Sequence, residues 1–306
     1  MPELPEVETI ARGLAKRVTG EVVETVWLGQ KKEPLKSPAS EIAAVLEQSR
    51  IGAVRRMGKH IVFDLERGEH GAGRTVLSAK GRKKKKKPEK SATASSNASA
   101  ERDKSVRPTQ AQWIVHLGMT GSLRVCEPET EVAKHTHAIL KLASGRELRF
   151  VDPRRFGRLS VSAEFDTVGV EPLDVDPERF VALFRGRKTP IKSALLNQHL
   201  LRGVGNIYAD ESLFRAGLRP RRRASSITRE QLGKLHVAVK EVLKEAIALG
   251  GSSISDYVDA DGEEGFFQLR HRVYGRENEP CLVCKAPIKR VVIAGRSSHY
   301  CPKCQK

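Results

Sequence analysis

The chain begins MPELPEVETIARGLAKRVTG (residues 1–20), a stretch that combines a helix start with a cluster of acidic groups. Apolar residues recur there at helical spacing, at Val7, Ile10, Ala11, Leu14 and Val18. Glu6 and Glu8 lie in the first turn, where the helix dipole favours negative charge. The stretch therefore predicts a helix over residues 5–18 with one face buried.

Strand-like alternation follows this helix. The runs cover residues 21–28, 53–65, 113–125, 138–142, 147–151 and 158–162. Ser144-Gly145 separates two of the runs as a turn between neighbouring strands would. We expect an antiparallel β-sandwich with a leading helix, ending near residue 170.

Helical patterns take over in the second half of the chain. They cover residues 177–184, 191–197, 206–216 and 228–249. Thr228 and Gln231 have the spacing of a capping box, and Gly250-Gly251 ends the longest helix. The predicted fold is an α+β multidomain chain.

Four of the five cysteines form two pairs, Cys281 with Cys284 and Cys301 with Cys304, and sixteen residues separate the pairs. This spacing is typical of a four-cysteine zinc site. Four thiolates close the coordination sphere, so the ion would be structural. The residues between the pairs predict a β-hairpin with Arg296 at its tip. His299 could compete as a ligand, but we favour a hydrogen-bonding role for it.

The chain is strongly basic, with a formal net charge of +18. Ten basic and three acidic residues between 80 and 104 contribute +7, so the rest still carries +11. A basic body indicates a polyanionic partner, of which nucleic acid fits best and an anionic membrane surface second. No apolar run is long enough to span a membrane, and the N-terminus is not a secretory signal.

Residues 68–111 interrupt the strand-rich part with RKKKKK (82–87) and SATASSNASA (91–100). This composition cannot bury enough apolar surface to fold, so we expect a disordered lysine-rich insert in a hairpin loop. It is either a solvated loop without a role or a tether that strengthens non-specific DNA binding.

Pro2 follows the initiator Met1. Removal of Met1 would leave a free secondary amine, which can attack an aldehyde-like carbon and form an iminium ion. By residue type alone, an ordinary helix start is the favoured interpretation of the same proline.

Several motifs together resemble one family, the bacterial formamidopyrimidine-DNA glycosylases, which act on 8-oxoguanine. The resemblance is carried by MPELPEVET (1–9), HLGMTGSLR (116–124), DPRRFG (152–157), GVGNIYADESLF (203–214), VYGR (273–276) and the four cysteines. It covers the chain except the insert and implies a bifunctional glycosylase and abasic-site lyase of base excision repair. The chemistry would need no cofactor beyond one structural Zn²⁺.

The resemblance also implies catalytic roles. Pro2 would be the nucleophile, Glu3 a proton donor, and Glu6 a supporting carboxylate. Lys59 would transfer a proton during β-elimination. Arg296 would act in δ-elimination and contact phosphate.

Further positions match DNA-contacting residues of the family. Met119, Arg154 and Phe156 would fill the gap left by an extruded base, which costs about a few kcal/mol per unstacked step. His116, His135, Lys188 and Asn206 would contact phosphate, and Arg154 is implied in both sets. Asn206 opens a helix that can offer amides to a phosphate. DGEEGFF (261–267), within a lesion-covering loop at 253–267, departs from a more basic family pattern.

We therefore predict three regions: a catalytic sandwich at 1–170, a helical DNA-binding region at 171–267, and a zinc ribbon at 268–306. The partner would be double-stranded DNA holding oxidised purines or abasic sites. We expect a monomer without membrane attachment, in the cytoplasm at the nucleoid.

Two alternatives remain open at this stage. An enzyme of the endonuclease VIII type would prefer oxidised pyrimidines, although Leu4 and the set of Met119, Arg154 and Phe156 favour the purine-specific branch. A non-catalytic zinc-ribbon protein would keep the basic body and the cysteines. Such a protein would have no need for a free Pro2 beside Glu3, Glu6 and Lys59.

Overall fold

The structure is a computed structural model that describes residues 1–31, 33–67, 109–253 and 265–306. The first unit starts with a helix and continues mainly as strands. Its elements are α1 Leu4–Val18, β1 Val23–Leu28, α2 Ala39–Leu46, β2 Ser49–Met57, β3 His60–Arg67, β4 Thr109–His116, β5 Ser122–Cys126, β6 Thr136–Leu142, β7 Glu147–Val151 and β8 Arg158–Ser162.

These strands form two four-stranded antiparallel sheets, with the orders β1-β6-β7-β5 and β2-β3-β4-β8. The side chains of alternate strand residues point into one shared core, where Phe63, Trp113 and Phe150 are fully buried. The apolar face of α1 packs on the same core. The predicted fold class of a β-sandwich with a leading helix is thus confirmed.

The sequence pattern was wrong about three strand limits. The run 53–65 is two strands, because Gly58 has φ +59° and the chain reverses between β2 and β3. The run 113–125 is likewise two strands in different sheets, divided at a turn where Gly118 has φ +67°. Residues 109–111, assigned to the insert, belong to β4. Residues 68–108 of the insert lie outside the described part of the chain.

The second half is helical, as predicted. It contains α3 Pro177–Phe184, α4 Ile191–Leu196, α5 Asn206–Arg215 and α6 Arg229–Ala248. The predicted capping box of α6 is present, with Gln231 N donating to Thr228 Oγ1 at 3.2 Å and Thr228 N donating to Gln231 Oε1 at 3.2 Å. These helices enclose a second apolar core.

The C-terminal strands β9 Lys289–Ile293 and β10 Arg296–Tyr300 pair as an antiparallel hairpin. Ala294 and Gly295 both have positive φ, as a two-residue hairpin turn of type I′ requires. Arg296 follows directly after this turn, where the sequence placed it.

The first two units meet along α1. Leu4 belongs to the core of the helical unit, whereas the rest of the apolar face of α1 belongs to the sandwich core. Leu4 N donates to Gly203 O at 3.0 Å. A second contact between the units runs through Glu171, which accepts from both terminal nitrogens of Arg56 at 2.8 Å and from Arg202 Nε at 3.0 Å.

Within the described residues, no helix is long and apolar enough to cross a membrane.

Candidate active site and zinc ribbon

The start of the chain is fixed against the start of α5. The N-cap residue of α5 is Gly205, which has no side chain to accept from the first amides of the helix. Glu3 supplies the acceptors instead: its carboxylate oxygens accept from Ile207 N at 3.1 Å and from Tyr208 N at 3.5 Å. A Cβ at position 205 would overlap with the Glu3 carboxylate, so glycine is required there.

Glu6 completes this cluster from the next turn of α1. Its carboxylate accepts from Glu3 N at 2.8 Å, from Ser252 N at 2.8 Å, and from the hydroxyl of Tyr208. Both Glu3 and Glu6 are buried, with Glu3 only 4% exposed. The cluster therefore joins the N-terminus, α5 and the end of the α6 segment around two carboxyl groups.

Burial sets the protonation of these groups. It raises the pKa of Glu3 to about 7, against the opposing charge of Lys59, and it raises the pKa of Glu6 as well. Burial lowers the pKa of the N-terminal amine, here that of Met1, against the opposing charges of Glu3 and Glu6. The site thus holds a carboxyl group that titrates near neutral pH beside an amine whose pKa is lowered.

Lys59 lies in the tight turn between β2 and β3, whereas the sequence pattern placed it within one strand-like run over 53–65. It is buried, and this burial lowers the pKa of its ammonium group, whereas Glu3 and Glu6 act in the opposite direction. Arg296 lowers the same pKa, so the two cations share this part of the site. The structure therefore brings together Glu3, Glu6, Lys59 and Arg296 around the N-terminus.

A buried ion pair that the sequence analysis missed anchors the hairpin of Arg296. Lys192 on α4 and Asp210 on α5 are both fully buried, and Lys192 Nζ lies 2.7 Å from Asp210 Oδ1. Lys192 also donates to Ser297 O at 2.6 Å, and Asp210 accepts from His299 N at 2.8 Å. The only available signal was the position of Asp210 inside GVGNIYADESLF.

A second missed residue, Glu211, holds the VYGR segment. Its carboxylate accepts from three successive backbone amides, those of Arg272 at 2.9 Å, Val273 at 3.0 Å and Tyr274 at 2.8 Å. Glu211 is fully buried, and burial raises its pKa. Two neighbouring acids of α5 therefore fix two different segments of the C-terminal region.

Met119, Arg154 and Phe156 lie close together, on two adjoining turns. Met119 is 43% exposed and Phe156 is 50% exposed, and the guanidinium of Arg154 lies 4.8 Å from the centre of the Phe156 ring. Buried Asp152 holds the two turns together, because it accepts from Thr120 Oγ1 at 2.7 Å and from Gly157 N at 2.7 Å. His137, to which the sequence gave no role, has Nε2 3.0 Å from Asp152 O.

The residues predicted to contact phosphate are more dispersed. His116 ends β4, and burial lowers its pKa to about 3, so its imidazole is neutral. His116 Nδ1 accepts from Gly118 N at 3.1 Å, which leaves Nε2 as the protonated nitrogen and a hydrogen-bond donor. Asn206 begins α5, and its side-chain amide donates to Ser297 Oγ at 3.3 Å. His135 and Lys188 are exposed on loops.

The four cysteines Cys281, Cys284, Cys301 and Cys304 form one cluster, with all sulfur atoms within 4.8 Å of one another. The Sγ atoms of Cys281 and Cys304 are 3.9 Å apart, and those of Cys284 and Cys301 are 3.4 Å apart. Zinc–sulfur bonds of about 2.3 Å in a tetrahedron require sulfur separations close to these values. The cluster fits one structural Zn²⁺. His299 lies outside it, with Nδ1 3.5 Å from Asp210 Oδ2, so it is not a fifth candidate ligand.

The loop at 253–267, which the resemblance predicts to cover the lesion, lies mostly outside the described residues, which omit 254–264. Its two ends are described. Ser253 N donates to Gln268 Oε1 at 3.0 Å, and Gly265 N donates to Ser253 Oγ at 2.9 Å. The base of the loop is therefore closed directly beside Ser252, a partner of Glu6.

The antiparallel sandwich, the helical unit and the zinc ribbon converge on the N-terminus of the chain, beside two buried carboxyl groups. This combination defines a zinc-containing DNA glycosylase. Three family models match the chain: "Formamidopyrimidine-DNA glycosylase N-terminal domain" at residues 1–159, the "Formamidopyrimidine-DNA glycosylase H2TH domain" at 168–258, and "Zinc finger found in FPG and IleRS" at 278–306. The chain belongs to the formamidopyrimidine-DNA glycosylase family.

Individual relatives agree over their full length. The chain is 43% identical to the formamidopyrimidine-DNA glycosylase of Solibacter usitatus and 40% identical to that of Dechloromonas aromatica, with complete coverage on both sides. It is similar to the crystal structure of MutM (Fpg) from Thermus thermophilus, with 39% identity, a TM-score of 0.77, and coverage of 99% of this chain and 98% of that one. A complex of Lactococcus lactis Fpg with abasic-site DNA has 28% identity, a TM-score of 0.78, and 99% coverage of both chains.

Metal analysis of the native protein is expected to return one zinc per chain. Cys304→Ser should lose the metal and weaken DNA binding, because the hairpin that carries Arg296 then loses one of its two anchors. Cys126→Ser is the matched control, since Cys126 lies at the end of β5 and is not one of the clustered cysteines. Absence of zinc from the native protein, or an equal loss from both variants, would contradict the assignment.

Proposed function

We propose that this protein is a bifunctional DNA glycosylase and abasic-site lyase that excises oxidised purines, 8-oxoguanine and formamidopyrimidines, in base excision repair. The observation that carries the proposal is the cluster at the N-terminus. There, a buried Glu3 with a pKa of about 7 lies beside the terminal amine and the buried Lys59. This combination suits covalent catalysis through an amine, which needs an unprotonated nucleophile and a nearby acid.

In the proposed first step, removal of Met1 exposes the secondary amine of Pro2. The amine lone pair forms a bond to C1′ of the damaged nucleotide, and the bond from C1′ to the base breaks, its electrons leaving with the base. The new bond makes the nitrogen an ammonium, which gives up its proton to the departing base. The restored nitrogen lone pair then opens the C1′–O4′ bond and forms the iminium ion. Glu3 supplies the proton that the released O4′ takes up.

The strand is cut in the two steps that follow. Loss of a C2′ proton expels the 3′ phosphate by β-elimination, and we assign this proton transfer to Lys59, whose pKa is lowered by burial. Loss of a C4′ proton then breaks the C5′–O bond and expels the 5′ phosphate by δ-elimination, and we assign the stabilisation of the phosphate charge to Arg296. Water then hydrolyses the iminium and frees Pro2. Glu6 holds Glu3 in place through its hydrogen bond from Glu3 N.

We assign Met119, Arg154 and Phe156 to the gap left by the extruded nucleotide. Their exposure and their common support by Asp152 suit side chains that enter a duplex, and Arg154 could pair with the orphaned base. His116, His135, Lys188 and Asn206 would contact phosphates. Neutral His116 would do so as a hydrogen-bond donor and not as a cation.

Structures of related proteins support this substrate class. They include Lactococcus lactis Fpg with DNA containing N7-benzyl-Fapy-dG, and MutM with DNA containing a carbocyclic 8-oxo-G. Another holds DNA with an oxidised pyrimidine, so a secondary activity on such lesions accords with membership of the family. We further propose a monomer that acts at the nucleoid in the cytoplasm, with regions at 1–170, 171–267 and 268–306.

The proposal is tested by borohydride reduction in the presence of a duplex with one 8-oxoguanine opposite cytosine. The protein with a free Pro2 is expected to form a covalent adduct. The same chain that retains Met1, identified by its intact mass, should form none, and Pro2→Gly should form far less because its primary amine is held less rigidly. Arg229→Gln, on the exposed face of α6, should match the unaltered protein. An undiminished adduct with Met1 retained would contradict the proposal.

The raised pKa of Glu3 predicts a pH dependence for excision. The acid form donates the proton, so its population and the single-turnover rate at saturating DNA should fall as pH rises through about 7. Glu3→Gln should lower the rate and abolish this alkaline decline. Glu178→Gln, an exposed carboxylate paired with Arg229, should retain the decline. The same decline in Glu3→Gln would show that another group is the acid.

A further inference from the structure

Two segments of the helical unit run side by side in front of α4. Residues 187–191 and 220–225 are antiparallel, joined by a bridge between Pro190 and Arg223. Ala224 N donates to Thr189 O at 3.0 Å, which fixes the register of the pair. Neither segment belongs to the catalytic cluster described above.

Three exposed cations lie along this pair of segments: Lys188, Arg221 and Arg223. Arg223 lies opposite Pro190, Lys188 lies two residues before Pro190, and Arg221 lies in the turn that leads into Arg223. Arg222 is engaged elsewhere, because its guanidinium donates to Ser226 O at 2.9 Å and to Gln231 Oε1 at 3.2 Å. We call Lys188, Arg221 and Arg223 the basic track.

The basic track has no acidic partner among the described residues. None of its three cations forms an ion pair there, although other exposed cations of the same unit do. Arg229 pairs with Glu178 at 3.2 Å, and Lys234 pairs with Glu230 at 2.8 Å. Three exposed cations on one short pair of segments, without a paired acid, leave their positive charge available to an anion.

The basic track continues the surface that carries Arg296. Arg221 Nη2 lies 3.4 Å from Val292 O, and Val292 is paired with Ser297 in the ribbon hairpin. Ser297 in turn accepts from the side chains of Asn206 and Lys192. Arg221 therefore contacts Val292, and Ser297, the cross-strand partner of Val292, directly follows Arg296 in the chain.

We propose that the basic track binds the phosphates of duplex DNA beyond the lesion site, so that Arg221 and Arg223 extend the DNA-binding surface outward from Arg296. The inference rests on the proposed function, since it takes the same duplex as its ligand. Arginine suits this role because its planar fork matches phosphate oxygens. Such contacts add affinity irrespective of base sequence and release counterions when they form.

The test measures the affinity of the full chain for duplexes that contain a stable abasic-site analogue, over a range of salt concentrations. One duplex extends well past the lesion on both sides, and the other ends a few base pairs from it. With the long duplex, the double variant Arg221→Gln/Arg223→Gln should reduce the slope of log K against log salt by about 2, because each lost phosphate contact removes about 0.9. With the short duplex, the double variant and the unaltered protein should have the same slope.

Arg229→Gln/Lys234→Gln is the matched control, because it removes the same charge from α6 and should leave the slope unchanged. Arg221→Lys/Arg223→Lys should restore most of the slope, and the unchanged slope of the glutamine variant on the short duplex shows that the glutamine variant is folded. The proposal would be overturned by equal slopes for the unaltered protein and the glutamine variant on the long duplex. It would also be overturned if the α6 control lowered the slope as much as the glutamine variant does. If the unaltered protein neither binds the lesion duplex nor forms a borohydride adduct, the proposed function fails instead.

Discussion

The carboxylate of Glu3 at the start of α5 is the interaction on which the arrangement of the site depends. It caps a helix whose own N-cap is glycine, and it fixes the N-terminus of the chain against a unit that is two hundred residues away in sequence. Leu4 follows it into the core of the helical unit, while the remainder of α1 packs in the sandwich. The terminal amine is thereby held between the two units.

This arrangement buries more charge than stability alone would favour. Glu3, Glu6, Glu211 and Asp210 are buried acids, and Lys59 and Lys192 are buried bases. Each loses hydration, and the cost is offset only where amides or an opposite charge replace water. Glu211 receives three amides and Lys192 receives Asp210, so these groups fix structure. Burial raises the pKa of Glu211 as well, but Glu3 lies beside the terminal amine, where a pKa of about 7 suits proton transfer.

Much of the fold could be predicted from the sequence, because many of its elements depend on local residue patterns. The capping box of α6, the Ala294-Gly295 turn and the cysteine spacing each depend on residues close together in the chain. The hairpin at Gly58-Lys59 was missed, because apolar residues continue on both sides of a two-residue turn. Asp210 and Glu211 were missed for a different reason. Their partners, Lys192 and the amides of 272–274, are distant in sequence, and an acid within a helix shows no sign of what it will contact.

The most direct measurement is to locate the reduced DNA adduct on the protein. After borohydride treatment, nuclease digestion and trypsin cleavage, the remnant of the sugar should lie on the peptide of residues 2–12, attached to the amine of Pro2. Lys59 and Lys192 are the alternative amines, since both are buried and burial lowers the pKa of each. A remnant on the peptide that contains either lysine, with residues 2–12 unmodified, would contradict the central claim that the N-terminal amine is the nucleophile.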